Sequence, residues 1–150
     1  MDFKKILVAV DKSENADRAV AYVGEIIRDA EGFCIELLAV NRPPQRDLFP
    51  EAAAWEAQVR EQTSQLTAYL EKAKDILLSF GTNLKCISIR IMDSTDPSIA
   101  RPILEAQREG EFGTVVVGRR GVPKSEEFLF GSVSKRLVTE ARGFTVWVVE

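Results

Sequence analysis

The sequence predicts an α/β protein built on an open, doubly wound parallel sheet. Three observations carry that reading. Five short runs rich in Val and Ile recur along the 150 residues, apolar throughout rather than alternating, as befits strands buried on both faces. Segments of helical period separate them, long enough to serve as crossovers between parallel strands. A glycine-bearing turn joins the fourth run to the last helical segment.

Taken in order, the first strand is expected at about 3–10. A helix follows with Ala16, Ala19, Val20, Val23, Ile26 and Ile27 on one face, entered through Asp11-Lys12-Ser13-Glu14, which has the composition of an N-cap. The second strand is expected at about 33–40, followed by an irregular linker, Asn41 to Asp47. The second helix carries Val59, Leu66, Tyr69, Leu70, Ala73, Ile76, Leu77 and Phe80, and Gly81 suits its C-terminal stop. The third strand is expected at about 84–92. Asp96-Pro97 reads as cap and first-turn proline of the third helix, and Pro102 should remove one of its backbone bonds and bend it. The fourth and fifth strands are expected at about 113–118 and 144–149, around a helix from Ser132 to about Ala141.

Length and composition fit one soluble domain over residues 1–150, with 45% apolar and 29% charged residues. The 20 basic and 23 acidic side chains are interspersed and net charge is -3, which argues against a nucleic-acid partner. No apolar run is long enough to span a bilayer. The basic, then apolar N-terminus stops at Asp11, too soon for a signal peptide and without a small-residue cleavage site. Cys34 and Cys86 lie in apolar, strand-like runs and read as small hydrophobes. Together these features predict a cytoplasmic protein. The chain has no histidine, which excludes Ser-His-Asp and Cys-His nucleophile pairs and the usual His-based zinc sites.

The motif that carries chemistry is Gly118-Arg119-Arg120-Gly121, a nine-residue spacer, then Gly131-Ser132-Val133-Ser134. Glycine lets a backbone approach a ligand closely, and the amides at a helix N-terminus point at an anion. Such a turn between a buried strand and a helix is suited to phosphate. By spacing alone, Gly118 and Gly121 could equally shape a strand-to-helix turn, and Gly131 could permit close packing before the last helix. In open α/β sheets ligands bind beyond the carboxyl ends of strands, where the winding reverses. If the strand order is 3-2-1-4-5, Asp11 at the end of strand one and the glycine turn after strand four share that crevice.

Ile6 to Ser13 resembles the opening strand and aspartate-serine turn of the universal stress proteins. Gly118-x2-Gly121-x9-Gly131-Ser132-Val133-Ser134 resembles that family's ATP-binding signature in full. The resemblance implies a Rossmann-like fold, related to the adenine nucleotide hydrolases, with sheet order 3-2-1-4-5 and helices on both faces. It implies a stress-response or regulatory protein that binds ATP, carried with Mg2+, and hydrolyses it slowly at most. Asp11 would meet the adenine–ribose end, with Ala9 and Val10 beside it and Val40 lining the adenine pocket. Val117 and Gly118 would sit under the ribose. Arg119, Gly121, Gly131, Ser132, Val133 and Ser134 would surround the phosphates, with no metal ligand from a protein side chain. The family also implies a homodimer paired through the last strand, with Val146, Trp147 and Val148 at the interface.

Some residues depart from the family pattern. Thr95 stands where many relatives carry glycine and could narrow the mouth of the site. Glu126 and Glu127 would repel a triphosphate unless they point away, while Arg119, Arg120 and Lys124 could offset them. These departures favour the alternative of a protein–protein interaction module of the same fold that binds no nucleotide. Asp11 could also be a helix cap without a ligand. The chain lacks a Gly-x4-Gly-Lys-Ser/Thr phosphate loop and a Gly-x-Gly-x2-Gly after strand one. It also lacks the serine-rich loop of AMP-forming relatives and the acidic pair of a phosphoacceptor domain.

Overall fold

The computed structural model describes residues 1–119 and 132–150. Strands β1 (Asp2–Val10), β2 (Cys34–Asn41), β3 (Ile87–Asp93), β4 (Phe112–Gly118) and β5 (Thr145–Val149) form one sheet. All neighbours pair in parallel, in the order β3-β2-β1-β4-β5. Helices α1 (Glu14–Ile26), α2 (Ala52–Ser79), α3 (Ala100–Gly110) and α4 (Ser132–Glu140) connect the strands.

The near-continuous apolarity of the central strands follows from cores on both faces. Ile6, Val8, Ile35, Leu37 and Val116 pack against Val20 and Val23 of α1 and Leu70, Ala73 and Leu77 of α2. The alternate residues Leu7, Leu38, Val115 and Val117 pack against Ile103 and Leu104 of α3 and Leu137 of α4. Side chains alternate faces along a strand, so two helical layers demand apolar residues at every position.

Three boundaries differ from the sequence reading. β3 begins at Ile87 because Leu84–Cys86 wind into a 3-10 turn, whose cap, Asn83, accepts a 2.9 Å bond at Oδ1 from the Lys85 amide. α2 starts at Ala52, a full seven residues before the first apolar-periodic position. Three successive alanines favour helix there, and the Trp55 indole N–H anchors the start through a 2.8 Å bond to the Pro44 carbonyl. At 28 residues α2 is about 42 Å long, well beyond the roughly 30 Å of the nine-residue β1. Its buried residues lie in the second half, so its first turns stand beyond the carboxyl end of the sheet. Pro102 does not bend α3: it is the third helical residue, where the missing amide has no intrahelical acceptor to lose. Asp96 caps a turn before the helix rather than the helix itself, accepting from the Ser98 amide at 2.8 Å.

Gly118 ends β4 directly beneath the first turn of α1. A Cβ there would lie 2.4 Å from the Asn15 carbonyl oxygen and 2.9 Å from the Ala16 nitrogen. Glycine is therefore required for backbone-to-backbone contact, and the Asn15 side-chain amide completes the seat by donating to the Arg119 carbonyl. The helix is held from its other side by Asp17, which accepts from the Tyr69 hydroxyl of α2 at 2.8 Å and pairs with Lys72 at 3.3 Å. Burial, then the bond and charge of Asp17, hold the Tyr69 hydroxyl well above the usual tyrosine range.

Two outcomes are expected. Gly118→Ala forces backbone apart at the α1–β4 contact and should cost about 1–3 kcal/mol, read as a fall of several degrees in the melting midpoint. Tyr69→Phe loses one buried hydrogen bond, about 1 kcal/mol at neutral pH. Because the folded-state pKa is raised, the folded chain holds the Tyr69 proton where the unfolded chain has released it. The contribution is complete below the ordinary tyrosine value of about 10 and declines as pH rises above it. The stability gap between parent and Tyr69→Phe, measured by denaturant titration, should therefore narrow above that pH.

Candidate functional site

The winding reverses between β1 and β4: β2 and β3 lie on one side, β5 on the other. Beyond the carboxyl ends of these strands the sheet opens into a concave, mostly apolar cleft with a few polar groups at its edge, the character of a small-molecule site. Its floor is Ala9, Val10 and Asp11 from β1 and the turn after it, Val117 and Gly118 from β4, and Leu38 and Val40 from β2. Ile99 and Ile103 form the α3 wall, Ser132, Val133 and Ser134 of α4 the opposite one, and Ala16 of α1 closes the rim.

Most of the residues singled out from sequence thus meet in one place. Arg119 does not line the cleft; its guanidinium pairs with Glu150, and its amide donates to the Val149 carbonyl at 2.7 Å. Gly121 and Gly131 lie outside the described residues, as do Arg120, Lys124, Glu126 and Glu127. Thr95 is exposed and is not part of the lining. Four lining residues escaped the sequence reading. Leu38 could have been found, because it precedes Val40 by two and shares its face of β2. Ile99 and Ile103 are one helical turn apart, a spacing that was visible. Ala16 had no such signal, since its place follows from the approach of α1 to Gly118.

The two helix N-termini at the cleft differ in charge. α1 is closed by its own residues: Ser13 accepts from the Ala16 amide at 3.2 Å, and Glu14 and Asp17 occupy its first turn. α4 has no acidic residue in its first turn and brings Ser132 and Ser134 to the cleft. Its leading amides have no intrahelical acceptor and sit at the positive end of the helix dipole. Asp11 braces the other helix: its Oδ1 accepts from the Ser13 amide at 2.9 Å and from the Ser13 hydroxyl. Ser13 is therefore the cap, and Asp11 holds the cap in place.

The α3 side of the rim is tied to the sheet. Asn41, buried at the end of β2, donates to Asp93 at 2.7 Å and accepts from the Ser94 amide at 2.9 Å. Arg42 donates to the Pro97 carbonyl at 2.6 Å. The Ser98 amide, then Arg101, hold the Asp96 carboxyl below its usual range. Among the described residues, no three His, Cys, Asp or Glu side chains come together to hold a metal ion, and no helix is long and apolar enough to cross a membrane.

Among solved structures, the universal stress protein UspA from Lactobacillus plantarum superposes with a TM-score of 0.76 at 16% identity, over 100% of this chain and 99% of that one. A universal stress protein in complex with cAMP gives 0.73 at 20% identity, over 97% and 96%. A universal stress protein from Archaeoglobus fulgidus in complex with dAMP gives 0.64 at 19% identity, with both chains fully covered. At these identities the likeness shows the fold. No curated protein sequence matches the chain. A sequence model of the universal stress protein family matches residues 2–150, nearly the whole chain, and the chain belongs to that family.

Proposed function

We propose that the cleft binds an adenine nucleotide, ATP foremost, and that the protein acts as a nucleotide-responsive regulator in the cytoplasmic stress response. The carrying observation is the meeting, in one cleft, of an apolar slot, a strand-end carboxylate and an acid-free helix N-terminus. A flat base suits Ala9, Leu38, Val40, Ile99 and Ile103. The Asp11 carboxylate suits ribose hydroxyls, and Ser132 to Ser134 offer hydroxyls and amides to phosphate. Complexes of relatives with cAMP and dAMP support the adenine class.

No described acidic cluster fits Mg2+, so the ion would arrive on the phosphates. With no histidine in the chain and Asp11 at the ribose end, no general base stands at the phosphate end among the described residues, which supports slow turnover at most. Thr95 lies clear of the cleft, which removes one reason to prefer an interaction module without nucleotide.

The test is equilibrium titration of the parent and Val40→Trp with ATP, AMP and GTP. The parent should bind ATP and gain thermal stability from it. Val40→Trp, filling the slot, should bind at least tenfold more weakly at an unchanged melting midpoint without ligand. A parent that takes up no adenine nucleotide would sink the reading and leave the interaction module standing.

We further propose a homodimer through β5. It is an edge strand by sheet order, and exposed edges invite pairing. Val148 is 42% exposed. Trp147 turns toward the α1 side, where Tyr22 meets it edge-on with ring centres 5.9 Å apart. Val146 packs against the α3–α4 core. Val148 therefore supplies the outward contact, and Val148→Lys should convert a dimer to a monomer by sedimentation at micromolar concentration. A parent already monomeric there overturns the dimer.

A further inference from the structure

The cysteines are not the scattered small hydrophobes that their sequence context suggests. Cys34 is exposed and Cys86 half-buried. Cys34 is the first residue of β2, and Cys86 ends the 3-10 turn that feeds β3. Ile35 pairs with Ile87 in the parallel register, which places Cys34 and Cys86 one step back and opposite one another. Ile35 points into the α1–α2 core, so Cys34 falls on the other face of β2 by strand alternation, while Cys86 sits in the turn just before β3. Adjacent strands run about 4.8 Å apart, within the Cα separation of roughly 4.4–6.8 Å that a disulfide spans. The two side chains are near enough for Cys86 to raise the pKa of the Cys34 thiol.

We propose that Cys34 and Cys86 are a thiol pair that hydroperoxides close reversibly to a disulfide, locking edge strand β3 to β2. Partial desolvation first, then Cys86 beside it, holds the Cys34 thiol above its ordinary value. Cys34 holds its proton the more firmly for it, so the first attack falls to Cys86. Cys86 lines a second cleft at the amino end of the sheet, shared with Gly32, Phe33 and Asn83, through which a small oxidant reaches it. Cys86 gives up its thiol proton as its sulfur attacks the distal peroxide oxygen; the O–O bond breaks and that proton leaves in the alcohol or water, giving a sulfenic acid. The Cys34 sulfur then displaces hydroxide from the Cys86 sulfur, and its own proton leaves in the water so formed. The two sulfurs give up two electrons in all to the peroxide. Lys5, paired in register with Cys34, carries a cation that favours the Cys34 thiolate at this second step, against the opposing charge of Asp2.

The bond would close a loop containing the linker and the whole of α2, long enough for substantial chain-entropy stabilisation. The test treats the full chain with hydrogen peroxide, alkylates remaining thiols in denaturant, and maps peptides by mass. The expected product is a monomeric chain lighter by two hydrogen atoms, with peptides bearing 34 and 86 joined, and a melting midpoint several degrees higher. Dithiothreitol should reverse both changes. Cys34→Ser should trap a sulfenic acid on Cys86, labelled by dimedone, and Cys34→Ser/Cys86→Ser should show no midpoint change with peroxide. Two thiols that remain alkylatable, a disulfide between chains, or an oxidised form no more stable than the reduced one would each overturn the pair.

Discussion

The contact between the first turn of α1 and the end of β4 sets the rest of the site. Asn15 and Ala16 rest on Gly118 with backbone against backbone, and no side chain could be interposed. The two strands beneath, β1 and β4, are both inner strands of the sheet, with Ala9 opposite Val117. Seating α1 there fills the switch point on the α1–α2 face. The apolar floor of the cleft, Ala9, Leu38, Val40 and Val117, is left to the α3–α4 face. One missing methyl group thus decides on which side of the sheet a ligand can lie.

Polarity within the cleft follows from which helix has spent its own N-terminus. α1 satisfies its leading amides with Ser13, and Asp11 restrains Ser13 in turn. The serines of α4 and its acid-free first turn are presented to the opening. An anion entering this space meets repulsion on one side and peptide dipoles on the other. Orientation of a nucleotide would be settled before any base-specific contact forms.

Much of this was legible in the sequence because it rests on local rules. Continuous Val- and Ile-rich runs reported a two-faced sheet, and the Ser13 cap and the Ser132 helix start follow from side-chain chemistry within one turn. What sequence could not show is what depends on chain segments meeting across the sheet. Gly118 is a glycine because of Asn15, about a hundred positions away in the chain. Ala16 reaches the cleft for the same reason. Pro102 looked like a helix breaker until the start of α3 was known. The adjacency of Cys34 and Cys86 required the β2–β3 register, which no spacing encodes.

The overhang of α2 also has a spectroscopic meaning. Of the two tryptophans, Trp55 belongs to the part of α2 that outruns the sheet, held by one indole bond to the linker. Trp147 sits in a central-face cluster edge-on to Tyr22. Emission from Trp55 reports fraying of the projecting turns, whereas Trp147, quenched or released with its aromatic neighbour, reports loss of the sheet. The chain therefore carries two intrinsic fluorophores that read separate levels of its own unfolding.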